Sequence, residues 1–341
     1  MERLAHIDAL RGSAALLLIF QTLLLPLSDG WALQHALDPE LLAVLWFLLC
    51  CGFIVPASLH ASVDGGRGFV VRRLLRLLPV YLLAVLLTAI LLPTAPAWLP
   101  GVAAPGSAMA FEVIGAYGAL PPILLFYGFC LLLQVLGLLH SVSLRTSCAL
   151  VLLAVALLLA LARQLLGTEL PVTLPLALSL MFFASLRYEA KHESSSYARR
   201  RAREYARYTL RIYLLVLPII FLAGWSADAA AWPRDLLTYA LAIVTFLLVT
   251  SRLPLRAPPL VWLGSLSYSL YLLLPAMQRL SELLTQALGP TASLAGAVFG
   301  LLLALGSAQL CRQLLDLPLA HAGRRLTRQD DLMPLARLHS R

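Results

Sequence analysis

The stretch Cys148-Ala-Leu-Val-Leu-Leu-Ala-Val-Ala-Leu-Leu-Leu-Ala-Leu161 runs without a single charged side chain and decides the fold class of the chain. A helix needs roughly 20 predominantly apolar residues to cross about 30 Å of hydrocarbon. Comparable stretches recur along the whole sequence. We place them at Leu10–Leu27, Leu41–Leu59, Leu74–Leu92, Leu120–Leu138, Cys148–Leu161, Leu170–Ser185, Thr209–Gly224, Leu236–Val249, Leu260–Met277 and Ser293–Cys311. The sequence therefore predicts an all-α, polytopic integral membrane protein with about ten transmembrane helices.

The overall composition agrees with that prediction. Hydrophobic residues make up 60% of the 341 residues and charged residues only 13%, with a mean hydropathy of +0.85. A soluble domain carries about 25% charged residues, so this chain has too little polar surface for water. We expect one transmembrane domain over residues 1–317 and a basic cytoplasmic tail over 318–341, in a multi-pass protein of the cell membrane, most simply the bacterial inner membrane.

The positive charges predict the orientation, because Lys and Arg near span ends remain on the cytoplasmic side. With ten spans and both termini in the cytoplasm, only Arg163, Arg234 and Arg279 of the 26 Lys and Arg fall outside. The same distribution explains the net charge of +9 without any nucleic-acid partner.

Two hydrophilic stretches interrupt the apolar pattern. Ala190 to Arg207 is expected to be a cytoplasmic loop, which either serves as a solvated topology anchor or lies as an amphipathic helix along the anionic inner leaflet. Pro93 to Gly118 is rich in Pro, Ala and Gly and is expected to be an irregular external loop.

The five cysteines lie in or beside apolar spans, and no pair has metal-ligand spacing. They are Cys50, Cys51, Cys130, Cys148 and Cys311. We interpret them as buried thiols. The sequence predicts no metal site and no tightly bound cofactor.

Three arginines stand at the entrance of the third span, in Phe69-Val-Val-Arg-Arg-Leu-Leu-Arg-Leu-Leu-Pro-Val-Tyr81. Arg73 and Arg76 are three residues apart and share a helix face, whereas Arg72 is turned away from Arg73 by about 100°. Guanidinium groups match phosphate oxygens and stay charged. This cluster is therefore either a phosphate-binding site or a set of positive-inside anchors.

A second charged feature stands at the mouth of the first span. Asp8 and Arg11 are one helical turn apart and can form a pair at the interface, which lowers the cost of placing either near hydrocarbon. By itself, this pair indicates a structural role.

Four blocks of sequence resemble the membrane acyltransferase 3 family. Ile7-Asp-Ala-Leu-Arg-Gly-Ser-Ala-Ala-Leu16 resembles its opening L-D-x-L-R-G-x-A, and Cys51-Gly-Phe53 resembles its S-G-F. Phe69 to Tyr81 is similar to its F-x-x-R-R-x-x-R-x-x-P-x-Y. Leu263-Gly-Ser-Leu-Ser-Tyr-Ser-Leu-Tyr-Leu272 is similar to its late L-G-x-x-S-Y-S-L-Y-L.

The resemblance implies a ten-helix enzyme that passes an acyl group from cytosolic acyl-CoA to a hydroxyl of an envelope polysaccharide or lipid. Arg73 and Arg76 match the R-x-x-R proposed to hold the CoA phosphates, and Arg11 matches the arginine of R-x10-H. The residues implied to hold the donor are Arg11, Arg72, Arg73, Arg76 and Tyr81. Those implied to hold the acceptor are Asp8, Gln21, Thr22, Ser267, Tyr268 and Tyr271.

The chain departs from the family at its histidines. Thr22 occupies the position of the catalytic histidine, Leu274 occupies the late histidine position, and Ile123 is nearest to the family's mid-chain glutamate in Leu120 to Tyr127. Acyl transfer to a hydroxyl needs a base that is largely neutral near pH 7, and neither Thr22 nor Gln21 can accept the proton. Loss of a general base costs roughly 10² to 10⁴ in rate.

Other residues are weaker candidates for the missing chemistry. Cys51 stands at the family's serine position and is a possible nucleophile, although an apolar span disfavours its thiolate. The histidines near span ends, His6, His35, His60 and His140, are more typical of interfacial positions than of a catalytic base.

Three classes of function follow from the sequence. The first is an acyltransferase. The second is a non-catalytic relative that binds a glycan, a lipid or partner subunits of an envelope polysaccharide system. The third, a transporter, ranks last because it predicts charged residues near the middle of the membrane and interrupted helices in repeats.

Overall fold

The chain folds into a bundle of long helices. The computed structural model describes residues 5–25, 36–60, 66–91, 119–167, 170–193, 195–224, 231–251, 255, 257–288 and 293–326. Within those residues 93% are helical and none forms a strand. The helices are α1 (Ala5–Ile19), α2 (Pro39–His60), α3 (Arg67–Leu91), α4 (Leu120–Val135), α5 (Val142–Leu166), α6 (Thr173–His192), α7 (Ser196–Gly224), α8 (Ala231–Ser251), α9 (Pro258–Leu288), α10 (Ser293–Cys311) and α11 (Leu317–Leu326).

Six regions of these helices are long and apolar enough to cross a membrane. They are Pro39–Pro56, Val142–Leu166, Ser196–Gly224, Trp232–Ser251, Pro258–Ala287 and Leu294–Gly323. Large apolar side chains also point outward, as on α3, where Leu74, Leu78, Leu82 and Leu86 form one exposed stripe. Such a surface suits lipid and not water. The protein is therefore an all-helical, multi-pass membrane protein.

The apolar segments expected from the sequence fall on these helices, but their ends differ. The fourth segment ends early, because α4 stops at Val135 and a turn with a positive φ at Gly137 follows. The first segment continues beyond α1 as a π-helical turn, Phe20–Leu24. Residues 93–118, expected to be an irregular loop, lie outside the described residues.

The stretch 190–207 is mostly helical, so the expected loop is wrong, the alternative of a helix agrees with the structure, and its cytoplasmic side stays a prediction. Helix α6 continues to His192, and α7 begins at Ser196 and runs without a break to Gly224. The basic residues extend the following span as one helix, because their spacing keeps a row of small apolar residues against the bundle. The tail also begins as a helix, α11, which packs on α3.

Two apolar cores meet along α1 and α2. One core joins the C-terminal half of α1 to α3, α4, α9 and α10. The other joins α2 to α5, α6, α7 and α8. Helix α6 is the most enclosed of them, since nearly every residue from Pro175 to Leu186 is buried. Helix α1 packs most extensively on α9, and α2 on α6.

Glycines set the closest helix crossings. A Cβ on Gly12 would lie 1.9 Å from the Leu260 carbonyl oxygen, and one on Gly264 would lie 1.8 Å from the Asp8 carbonyl oxygen. A Cβ on Gly52 would meet the Met181 backbone at 2.3 Å. The glycines of the first, second and fourth motif blocks therefore have a structural reason: only Gly lets α1 approach α9, and α2 approach α6, this closely.

Candidate functional site

A cavity of about 240 Å³ lies where α1, α2, α3, α4 and α9 meet. Its polar lining consists of side chains from all five helices. Among the described residues the lining comprises Asp8, Arg11, Cys50, Cys51, Ile54, Arg73, Arg76, Leu77, Leu120, Ile123, Tyr127 and Tyr268. Residues from each of the four motif blocks thus surround one space.

The helix crossings explain how these residues come together. At the contact between Gly12 and Gly264, α1 and α9 nearly touch, so that Arg11 and Tyr268 lie within one turn of the crossing. The Tyr268 hydroxyl donates a hydrogen bond to the Leu77 carbonyl oxygen at 2.8 Å, which ties α9 to α3 one residue beyond Arg76. The positions of the arginines are therefore fixed by packing and by a hydrogen bond between distant helices.

The cavity is positively charged. Arg11 lies 3.9 Å from the carboxylate of Asp8. Arg73 lies over two aromatic rings, 5.3 Å from the ring centroids of both Phe69 and Tyr127. Within the described part of the chain, neither Arg73 nor Arg76 has a carboxylate within ion-pair distance, although Asp316, in the π-helical turn Arg312–Asp316 after α10, is close enough to interact electrostatically with Arg76.

Three guanidinium groups thus line the cavity with one carboxylate, an excess of two positive charges among the lining side chains, of which Asp316 near Arg76 offsets a part. Enclosed charges are costly unless a partner neutralises them. A bound anion with two negative charges would supply that partner. The planar donor groups of arginine match phosphate oxygens in geometry as well as charge.

The cavity lies well inside the bundle. Arg11 comes about one and a half turns after the first residue of α1, and Arg76 about two and a half turns after the first residue of α3, which corresponds to roughly 9 and 14 Å at 1.5 Å per residue. Helix α4 has only 16 residues, and its first residue, Leu120, lines the cavity. Helix α4 therefore starts at the level of the site. The Ala119 N–H just before it donates to the Tyr271 hydroxyl at 3.1 Å.

Of the residues implied to bind donor or acceptor, Asp8, Arg11, Arg73, Arg76 and Tyr268 line the cavity. The others lie elsewhere in the bundle. The side chain of Arg72 packs against Gly323 of α11. A Cβ added to this glycine would lie 3.4 Å from the Cγ of Arg72, which is ordinary van der Waals contact. Tyr81 is half-buried, one turn further along α3.

Three of the remaining acceptor candidates form hydrogen bonds with the backbone outside the cavity lining. Thr22 donates its hydroxyl to the Leu18 carbonyl oxygen at 2.7 Å, and Ser267 donates to the Gly264 carbonyl oxygen at 2.8 Å. Tyr271 accepts from Ala119 and packs beside Phe47. Gln21, in the π-helical turn, has a buried side-chain oxygen with no hydrogen-bond partner. Leu274, at the late histidine position, is buried and apolar.

Tyr127 is the site residue that the sequence did not single out. It supplies a ring for Arg73, and its edge-to-face contact with Phe69 has a centroid distance of 5.7 Å. The sequence signal was present, since Tyr127 ends the mid-chain block beginning at Leu120. Without the missing glutamate of that block, its importance could not be recognised.

The histidines lie away from the cavity. His6 is buried and His140 is exposed, and neither belongs to the lining. His35 lies outside the described residues, as does the side chain of His60. Cys51 is half-buried and lines the cavity, whereas the thiol of its neighbour Cys50 is turned to the Ile7 carbonyl oxygen at 3.9 Å.

A second enclosed arginine lies in the other core. Arg145, on α5, is completely buried and forms an ion pair with Glu189 of α6. This pair joins two helices that pack closely along their length. Unlike Arg73 and Arg76, which have no carboxylate within ion-pair distance in the described residues, Arg145 has a protein carboxylate directly against it.

Comparison with known proteins identifies no relative: no family model, no curated protein and no solved structure matches the chain.

Proposed function

We propose that the protein is a membrane acyltransferase 3-like enzyme that transfers an acyl group from cytosolic acyl-CoA to a hydroxyl of an envelope polysaccharide or lipid. The observation that carries this proposal is the convergence of the motif blocks. Residues from the opening block, from Cys51, from the arginine cluster and from the late block all line one cavity. Chance similarity of four short blocks gives no reason for their side chains to share a site.

The charge of the cavity favours a phosphorylated donor. An excess of two positive charges suits the diphosphate of a CoA thioester better than a single carboxylate. The volume of about 240 Å³ is below the roughly 300–1,000 Å³ of pockets that enclose a drug-sized ligand. The cavity therefore takes one charged group of the donor, and the rest of the donor extends beyond it.

The proposal includes ten membrane-spanning helices, α1 to α10, with both termini in the cytoplasm of a bacterium. Helices α1, α3 and α9 then begin on the cytoplasmic side, so that Arg11, Arg73 and Arg76 lie nearest the compartment that holds acyl-CoA. The positive-inside distribution of Lys and Arg supports this orientation. The acceptor approaches from the opposite side as a lipid-linked or exported glycan.

One observation favours a second function. No histidine lines the cavity in the described part of the chain, and the side chains at the two family histidine positions are a hydrogen-bonded threonine and a buried leucine. A protein that keeps the donor site and has lost the base would bind its ligand without turnover. It would then serve as a subunit of an envelope polysaccharide complex.

Binding and turnover separate these functions. Isothermal titration of the purified full-length protein in nanodiscs would use a thioether analogue of acetyl-CoA and, as its matched ligand, the same analogue shortened to pantetheine without phosphates. We expect the CoA analogue to bind and the pantetheine analogue to bind much more weakly. Equal binding of both, or binding of neither, would contradict a phosphate-holding cavity.

The same preparation is then given radiolabelled acetyl-CoA and envelope polysaccharide. Acetyl transfer above the rate without protein supports the enzyme. Binding without transfer supports the non-catalytic subunit.

A further inference from the structure

A stripe of tyrosines and arginines follows one exposed face of α7, far from the cavity. Its members line an open groove of about 730 Å³, and those in the described residues all belong to α7. The stripe consists of Tyr197, Arg200, Arg201, Glu204, Tyr205 and Tyr208. Tyr197 is 75% exposed and Tyr208 56% exposed, so these rings are not used for packing in the described fold.

The opposite face of α7 is the one that holds the helix in the bundle. Ala202, Ala206, Thr209 and Tyr213 are buried, at the three- and four-residue spacing of one helix face. The stripe is therefore directed away from the protein.

Two further exposed arginines, Arg207 and Arg211, lie at the C-terminal end of the stripe on its side of α7, and the lipid-facing surface of the same helix begins beyond them. Leu215 is 72% exposed, and Ile219 and Leu222 continue on its side of the helix. Tyr208 lies seven residues before Leu215, which is two helical turns along the same face. Where the leucine contacts acyl chains, the tyrosines and arginines lie at the level of the headgroups and just beyond it.

The chemistry of the stripe matches an anionic headgroup. Arg201 lies 5.6 Å from the centroid of the Tyr205 ring and has no carboxylate partner within the described residues. Arg200 pairs with Glu204 at 3.2 Å, but both side chains are highly exposed, so this pair contributes little. Tyrosine rings favour the interface between hydrocarbon and water, and arginine favours phosphate.

We infer that this stripe is a binding surface for anionic phospholipid headgroups, held by Arg201 and Arg200 between the rings of Tyr197, Tyr205 and Tyr208. The occupant is a membrane lipid because the stripe and the lipid-facing leucines form one continuous face. Arginines directly outside a membrane span attract anionic headgroups, and the acyl chains of such lipids contact the leucines further along the helix.

The test measures lipid retention by native mass spectrometry on the full-length protein. Detergent-purified protein is mixed with equal amounts of phosphatidylglycerol, which is anionic, and phosphatidylcholine, which carries the same phosphate without net charge. We expect the wild type to retain phosphatidylglycerol preferentially. Replacing both arginines, Arg200→Gln with Arg201→Gln, should reduce that preference roughly thirtyfold, as each arginine near an anionic leaflet contributes about 1 kcal/mol.

A matched variant controls for net charge. Arg199→Gln with Arg203→Gln removes the same two charges from the other side of α7, where these side chains donate to the carbonyl oxygens of Glu193 and Ala190. This variant should keep the preference.

Two results would overturn the inference. An equal loss in both double variants would reduce the effect to net charge. Equal retention of the two lipids by the wild type would assign the stripe to a protein partner or to solvent.

Discussion

Two sets of arginines lie inside this bundle, and they differ in what neutralises them. Arg145 is fully buried and carries its own carboxylate, Glu189, from the adjacent helix. Arg73 and Arg76 line a cavity and have no carboxylate at ion-pair distance in the described residues: Arg73 lies over two aromatic rings, and Arg76 interacts with the carboxylate of Asp316 only at longer range. A buried charge with a structural role is normally paired with an opposite charge of the protein itself. This difference supports the proposal that a ligand supplies the counter-charge of Arg73 and Arg76.

The largest effect is expected on ligand affinity. The double variant Arg73→Ala with Arg76→Ala should weaken binding of the CoA thioether analogue by on the order of 10² to 10⁴, as a hydrogen bond to a charged group contributes about 1.5–3 kcal/mol. Isothermal titration measures the loss. Arg72→Ala is the matched control, since Arg72 lies on the same helix and packs on α11 outside the cavity. A loss as large in Arg72→Ala would show that net charge, and not the cavity, attracts the ligand.

The next effect concerns the stability of the paired arginine. Glu189→Ala leaves Arg145 buried without a counter-charge and should lower the free energy of unfolding by about 3–5 kcal/mol. Replacing both residues by apolar ones, Arg145→Met with Glu189→Leu, should recover most of that loss. Denaturant unfolding in detergent micelles compares the three proteins. A change in Glu189→Ala of only about 0.5 kcal/mol, typical of surface positions, would remove the distinction between the two sets.

A third effect tests whether helix packing positions the cavity arginines. Gly12→Ala places a Cβ against the Leu260 carbonyl and should destabilise the protein by about 1–3 kcal/mol, with a loss of ligand affinity because Arg11 shifts. Gly128→Ala on α4 meets no atom within 4 Å and should stabilise the helix by up to about 1 kcal/mol. Denaturant unfolding measures the stability of Gly12→Ala and Gly128→Ala, and isothermal titration measures their ligand affinity. Equal behaviour would mean that the crossing of α1 and α9 does not set the site.

The smallest effect is expected from the hydrogen bond that joins α9 to α3. Tyr268→Phe keeps the ring and removes the donor to the Leu77 carbonyl, so the free energy of unfolding should fall by about 0.5–1.5 kcal/mol. Ligand affinity should fall modestly, because Arg76 is adjacent to Leu77. Unchanged stability together with a large loss of affinity would instead place the Tyr268 hydroxyl in direct contact with the ligand.

The sequence predicted the helical membrane fold because apolar runs long enough to span a bilayer are a strong local signal. It also predicted the sharing of a helix face by Arg73 and Arg76, which depends only on helical spacing. Both predictions are confirmed in their coarse form: the chain is all-helical, and these two arginines line one cavity.

Long-range features could not be predicted. Arg145 looks like one more cytoplasmic charge in the sequence, and only the packing of α5 on α6 reveals that it is enclosed and paired with Glu189. Helix α7 was expected to begin near Thr209, because charged residues lower the hydropathy of its first turns. Small residues such as Ala202 and Ala206 pack against the bundle there and extend the helix. The convergence of five helices on the cavity likewise depends on crossings at Gly12 and Gly264 that no local pattern encodes.

The most direct measurement makes the same substitution at the two sites. It compares the free energy of unfolding of the Arg76→Met and Arg145→Met variants without ligand. Methionine keeps much of the packing of the arginine stem and removes only the charge. Arg145→Met should destabilise the protein by about 3–5 kcal/mol, because Glu189 is left buried and unpaired. Arg76→Met should leave the stability unchanged or raise it, because an enclosed charge is removed whose neighbouring carboxylate, Asp316, is not within ion-pair distance. Equal destabilisation by the two variants would contradict the claim that the cavity binds an anionic ligand.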